Sequence, residues 1–218
     1  MLKKYYFNVV KKMPLFKGHF VFFKEIFMKT QTNFFNAKKI AIMGIFVALS
    51  YAVSFIEIPA PFFGASFLKL DLGNVFITLI AFLFGPIEGV IVCLLKEALR
   101  CITSSSLCAG ELANFITTSA FILLPSICYK YKRNIKTVII TLSFSCLIAT
   151  GVALLANRFI VFPVYAYLFG GSIFGMTVEF AFATFVWGLV IFNLIKTFSI
   201  AILTMLLYKR LSNLIKRF

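Results

Sequence analysis

Asn193 and Lys196 stand three residues apart in the apolar run that ends at Lys209-Arg210. At that spacing both project from one face of a helix. The ammonium offers three donors, and the amide both donates and accepts. Together they match a ligand edge that alternates donor and acceptor, such as an imide or a pyrimidine-like ring. The bland alternative is a lysine that snorkels to the interface. Counting back about 20 residues from Lys209, a bilayer's worth of helix, puts the outer end near Leu189 and the pair in the outer third.

Other polar residues sit in equally apolar surroundings. The stretch 67–115 carries Lys69, Asp71, Glu88, Lys96, Glu97, Arg100 and Glu111. Charges at bilayer depth are costly and normally face a bundle interior, a wet cavity or the interface. Glu88, Lys96 and Arg100 are spaced by multiples of four, along one side of a helix. Glu111 and Asn114 open the next helix, where an acid suits the helix dipole; ligand contact or bracing of the preceding loop are the alternatives. Asn157 precedes Arg158 at the expected end of a helix and either caps that end or faces a ligand. Asp71 reads most simply as a helix-start residue, with Lys69 as its partner or that of another acid. Phe67, Leu68 and Lys69 end the loop that begins at Pro59 and complete the candidate ligand set. Phe62, Phe63 and Phe67 can stack on a flat ring, although with 29 phenylalanines in the chain lipid contact is the default for any one.

No catalytic residue is assigned. H-E-x-x-H, G-x-S-x-G and a P-loop are all missing. The chain has one histidine, His19, and its cysteines Cys93, Cys101, Cys108, Cys128 and Cys146 have no metal-type spacing. No metal and no cofactor is expected. Cys101 and Cys108 could meet at one membrane face; the others read as small apolar fillers.

These residues are carried by a membrane protein. The 218 residues are 61% hydrophobic and 13% charged, with mean hydropathy +1.00, which no soluble domain of this length matches. The net charge of +15 is not a nucleic-acid footprint. Nine basic residues lie between Lys3 and Lys39, four between Lys130 and Lys136 and four between Lys209 and Arg217, flanking apolar runs as the positive-inside rule requires. The fold class is therefore an all-α bundle of six transmembrane helices with both termini cytoplasmic. The expected helices are Ile40–Ile58, Leu70–Phe84, Ile87–Ile102, Glu111–Tyr129, Thr137–Ala156 and a last one from about Leu189, with 157–184 an outer, partly helical loop. The remaining basic residues, Lys69, Lys96, Arg100, Arg158 and Lys196, all fall toward the outer half, against the general bias. An outward-opening polar site explains them. Residues 1–37 form a basic, Phe-rich extension, interfacial or disordered, without a signal-peptide cleavage pattern; a start at Met28-Lys29 is the alternative. In the first helix Gly44, Ala48 and Ala52 recur at every fourth position, a pattern for close approach either of a neighbouring helix or of a partner membrane protein.

FLKLDLGNV at 67–75, AFLFGPIEGVIVCLLKEALR at 81–100, GELANF at 110–115, NRFIVFPVYAYLFG at 157–170 and FNLIKTFSIAILTMLLYKRL at 192–211, in that order, resemble the substrate-binding membrane components of energy-coupling factor vitamin transporters, most of all the riboflavin-specific type. The resemblance covers about residues 38–212, the membrane domain. It implies a six-helix bundle in the cell membrane with an outward vitamin pocket covered by the loop after the first helix, and no enzymatic activity. It implies partners: a shared transmembrane coupling protein, reached through Ala48 and Ala52, and two ATPase subunits. It further implies that Asn157, Asn193 and Lys196 hydrogen-bond the polar edge and ribityl chain of a flavin, riboflavin or FMN. The N-terminal extension and the short, Gly-poor segment Thr103–Ala109 depart from the pattern. Thiamine or a modified-base precursor is the alternative ligand. A proton-linked carrier would show internal inverted repeats, which are not apparent.

Overall fold

The computed structural model describes residues 37–59, 68–104, 107–131, 134–173 and 175–215. The candidates Phe62, Phe63 and Phe67 and nearly all of the basic extension lie outside them. The chain divides between Ile42 and Met43 into two units. Of the first, only residues 37–42, the opening of α1, are described.

Helix α1 is Ala37–Ser54. Strands β1 (Glu57–Pro59) and β2 (Lys69–Asp71) pair antiparallel, Glu57 opposite Asp71. Then follow α2 (Asn74–Leu83), α3 (Pro86–Ile102), α4 (Ala109–Tyr131) and α5 (Ile135–Ala156). A π-helical turn, Asn157–Val161, joins α5 to α6 (Phe162–Leu168), and α7 is Val178–Ile215. Because α5, the π-turn and α6 run on as one rod, the described residues form six helical segments. Four are long and apolar enough to cross a membrane.

The differences from expectation have local causes. Helix α1 stops at Ser54 because the chain then enters the β1–β2 pair, which ties the two ends of the proline-containing loop together. The fifth helix does not end at Asn157. Pro163 in an α-helix would clash with the carbonyl of Phe159 and leave a donor missing; the wider turn just before it, with the Phe162 amide bonded to the Asn157 carbonyl, absorbs the proline without ending the rod. The last helix starts at Val178, well before Leu189. Thr177 Oγ1 accepts from the Phe180 amide at 3.4 Å, and Glu179 lies in the first turn, both start signals. Asn193 and Lys196 therefore sit near the middle of α7, not in its outer third.

Helix α4 packs along α5 and α3, α5 along α7, and the short α2 against α3, α4 and α7. Ile77, Leu79, Ile80, Val92, Ile122 and Cys146 are fully buried in these seams. Gly85, at φ +133°, makes the α2–α3 turn that a residue with a Cβ rarely adopts. One end of the bundle is knit by Phe82, Tyr129 and Tyr208. Their rings meet at 5.5 to 5.9 Å, and the two tyrosine hydroxyls are hydrogen-bonded. At the other end lie the β1–β2 pair and the α3–α4 loop, which Cys101 and Cys108 close as a disulfide with Cα atoms 5.0 Å apart.

In α1, Phe46, Val47, Ser50 and Ser54 are buried, and Ser50 donates to the Gly73 carbonyl at 2.8 Å. Gly44, Ala48 and Ala52 lie on the other side and are exposed. The small-residue stripe is thus not spent on packing within the described part of the bundle.

Candidate functional site

A cavity of about 500 Å³ lies at the β1–β2 end of the bundle, within the size range of small-molecule sites. Seven of the eight candidate ligand residues line it: Leu68, Lys69, Glu111, Asn114, Asn157, Asn193 and Lys196. The eighth, Phe67, lies outside the described residues. Arg158 does not line the cavity. It pairs with the exposed Glu179 at 3.4 Å and sits 5.5 Å from the centre of the Phe182 ring.

Helix α7 supplies Asn193 and Lys196, both buried. The Asn193 amide nitrogen donates to the Leu189 carbonyl at 2.8 Å. Asn157 does the same with Ala153 at 2.7 Å. Each side chain is thus anchored to its own helix by its nitrogen, which leaves the amide oxygen as an acceptor for a ligand. Lys196 donates to Asn114 Oδ1 at 2.7 Å, and an ammonium has two further donors. The site therefore sets two acceptors beside one cation.

The π-turn places Asn157. Ala153, Asn157, Val161 and Tyr165 all line the cavity, although residues four apart drift by about 40° per step around an α-helix. The wider turn cancels part of that drift and keeps four successive side chains on one face. Phe55, Tyr165 and Phe192 supply aromatic surface.

Behind the asparagines lies a buried ionic cluster. Lys96, with no exposed surface, bonds Asp71 Oδ2, Glu97 Oε1 at 2.6 Å and Asn74 Oδ1 at 3.4 Å. Asn114 donates to Glu97 and, at 3.5 Å, to Asp71, while its oxygen also accepts from Asn74 at 3.2 Å. Asn74 donates further to Thr118 at 3.0 Å. Asp71 Oδ1 accepts from the Gly73 amide at 2.8 Å, the turn that precedes α2, so its helix-start role and its ion pair coexist. A Cβ on Gly73 would fall 2.3 Å from the Ser50 carbonyl, so glycine lets α1 approach this turn. Outside the cluster, Arg100 donates to the Ser54 carbonyl at the end of α1 at 2.6 Å, and Glu111 accepts from Ser104 at 2.8 Å. Glu111 thus braces the loop before its helix while facing the cavity.

Asp71, Glu97, Thr117, Tyr165 and Phe192 also line the cavity and were not among the candidates. The adjacent Lys96-Glu97 pair inside an apolar helix was the available signal for the cluster. Nothing in the spacing announced Tyr165, because it reaches the cavity only through the π-turn. Among the described residues no group of His, Cys, Asp and Glu could hold a metal ion.

Comparison with known proteins agrees with this geometry. The family described as "ECF transporter, substrate-specific component" matches residues 38–208. The chain is 32% identical over 189 residues to the riboflavin transporter RibU of Staphylococcus aureus (strain TCH60), covering 87% of this chain and 98% of the relative. It is 23% identical over 180 residues to the riboflavin transporter FmnP of Bacillus subtilis (strain 168), covering 81% and 93%. A solved structure of the S component of a bacterial ECF transporter superposes with a TM-score of 0.68 at 32% identity, over 82% of this chain and 98% of that one. A multi-helix membrane bundle with a polar cavity at one end, matched along nearly all of its helices, belongs to the substrate-specific components of ECF transporters.

Proposed function

We propose that the chain captures riboflavin and presents it, chemically unchanged, to a membrane coupling module. The observation that carries this reading is the polar edge of the cavity: Lys196 as donor beside the amide oxygens of Asn157 and Asn193. The imide of a flavin has an N–H between two carbonyls, so its N–H can donate to one amide oxygen while an adjacent carbonyl accepts from Lys196, and the second amide oxygen is left for another ligand donor such as a ribityl hydroxyl. Phe55, Tyr165 and Phe192 offer surface for the ring system, and burial of that ring supplies most of the affinity. Leu68, Lys69, Glu111 and Asn114 complete the contact set among the described residues, and Phe67 is proposed with them from the sequence. The names of both relatives support the same ligand.

The test is to purify the chain from cells grown in rich medium, denature it and identify what is released. Flavin absorbance near one equivalent per chain supports the reading. Thiamine or another vitamin in its place overturns it.

The partners in this proposal are a transmembrane coupling protein and two ATPase subunits, in the cell membrane of a bacterium like those of the relatives. Residues 38–212 form the membrane domain and 1–37 a basic extension. The basic clusters put both termini in the cytoplasm, so the cavity opens outward. The exposed Gly44, Ala48 and Ala52 stripe is the docking face. Ala48→Trp is expected to abolish co-purification with the coupling protein and to leave riboflavin affinity within about twofold, since surface changes cost little stability. Normal co-purification would remove the stripe from the interface.

A further inference from the structure

Four ionisable side chains meet around one amide: Asn114 bonds three of them, and the fourth, Lys96, joins through the two carboxylates. Asp71 comes from β2, Lys96 and Glu97 from α3 and Lys196 from α7, with Asn114 of α4 at their centre. Two ammonium groups and two carboxylates sum to zero. Lys96 stands behind the others and does not line the cavity. Helix α2 and the π-turn add only uncharged Asn74 and Asn157 here. The other charged residues facing the cavity are Lys69, Arg100 and Glu111; the bonds of Arg100 to Ser54 and of Glu111 to Ser104 draw these two toward the chain connections.

Buried charges persist where they are balanced. A ligand group that meets Lys196 therefore meets a set already at zero. An anion there would leave an unmatched negative charge, and a cation an unmatched positive one. A neutral acceptor takes up the remaining donors of Lys196 without disturbing the balance.

We propose that Asp71, Glu97 and Lys96 are specificity-determining residues: as built-in counter-charges around Lys196 they make the cavity hold the uncharged form of the ligand's hydrogen-bonding edge. For riboflavin, on which reading this rests, that is the imide with its N–H retained. Lys96 acts through the two carboxylates and is a positioning residue.

The experiment follows the absorbance of protein-bound riboflavin as pH is raised, because loss of the imide proton changes the flavin spectrum. Glu97→Gln and Asp71→Asn each leave the cluster one positive charge in excess. Each is expected to lower the pH at which the bound imide ionises, by about one unit or more. The paired variant Lys96→Met/Asp71→Asn removes one charge of each sign and is expected to ionise near the wild-type pH. General loosening of the site would instead move all three toward free riboflavin. Glu97→Gln or Asp71→Asn ionising at the wild-type pH overturns the proposal, as does a paired variant shifted as far as Asp71→Asn alone. Should Glu97→Gln fail to fold, Asp71→Asn and the paired variant decide between these results. Wild-type chain that binds no riboflavin ends the flavin reading itself, and the proposal with it.

Discussion

Lys196→Ala is expected to weaken riboflavin binding by about 10- to 150-fold, the range for a lost hydrogen bond from a charged donor. The lysine is buried and donates to the amide oxygen of Asn114. Its removal leaves Asp71 and Glu97 still sharing Lys96, so the fold is expected to survive, with unchanged helical circular dichroism. Asn193→Ala loses a neutral acceptor and is expected to cost less, about 2- to 10-fold. The same titration reads both. Wild-type affinity in a folded Lys196→Ala protein would remove this residue from the site.

Lys96→Met is expected to destabilise the bundle by about 3–5 kcal/mol, the cost of leaving buried charges without their partner. The methionine fills nearly the same volume, so packing is preserved and the loss is electrostatic. Two carboxylates then face each other with no cation between them, and the tie from β2 to α3 is cut. Thermal unfolding in detergent measures the effect. Replacing Lys96→Met together with Asp71→Asn removes one charge of each sign, leaves Glu97 balanced by Lys196, and is expected to recover most of the loss. A Lys96→Met protein that melts with the wild type would contradict the buried cluster.

Much of this site was legible in the chain. Asn193 and Lys196 at helical spacing, and Asn157 and Asn114 near helix ends, were visible as polar residues in apolar runs, and the structure brings all four to one cavity. The hydrophobic runs and basic clusters located the six helical segments. What was hidden depended on geometry between segments. The Lys96–Asp71 pair joins residues 25 apart through a two-stranded pairing too short to show as alternation. The π-turn before Pro163 made one rod of what reads as a helix followed by a loop, and so brought Val161 and Tyr165 to the cavity. The early start of α7 was missed because the helix is longer than a bilayer requires, so counting back from Lys209 stopped short of Val178 and set Asn193 and Lys196 in the outer third of the helix rather than near its middle.

The central claim is that this cavity binds riboflavin. The most direct measurement is a fluorescence titration of riboflavin with folded, ligand-stripped chain in detergent. Saturable quenching at one riboflavin per chain, lost or greatly weakened in Lys196→Ala, is the result this account predicts. Riboflavin that keeps its full fluorescence beside a well-folded chain would contradict it.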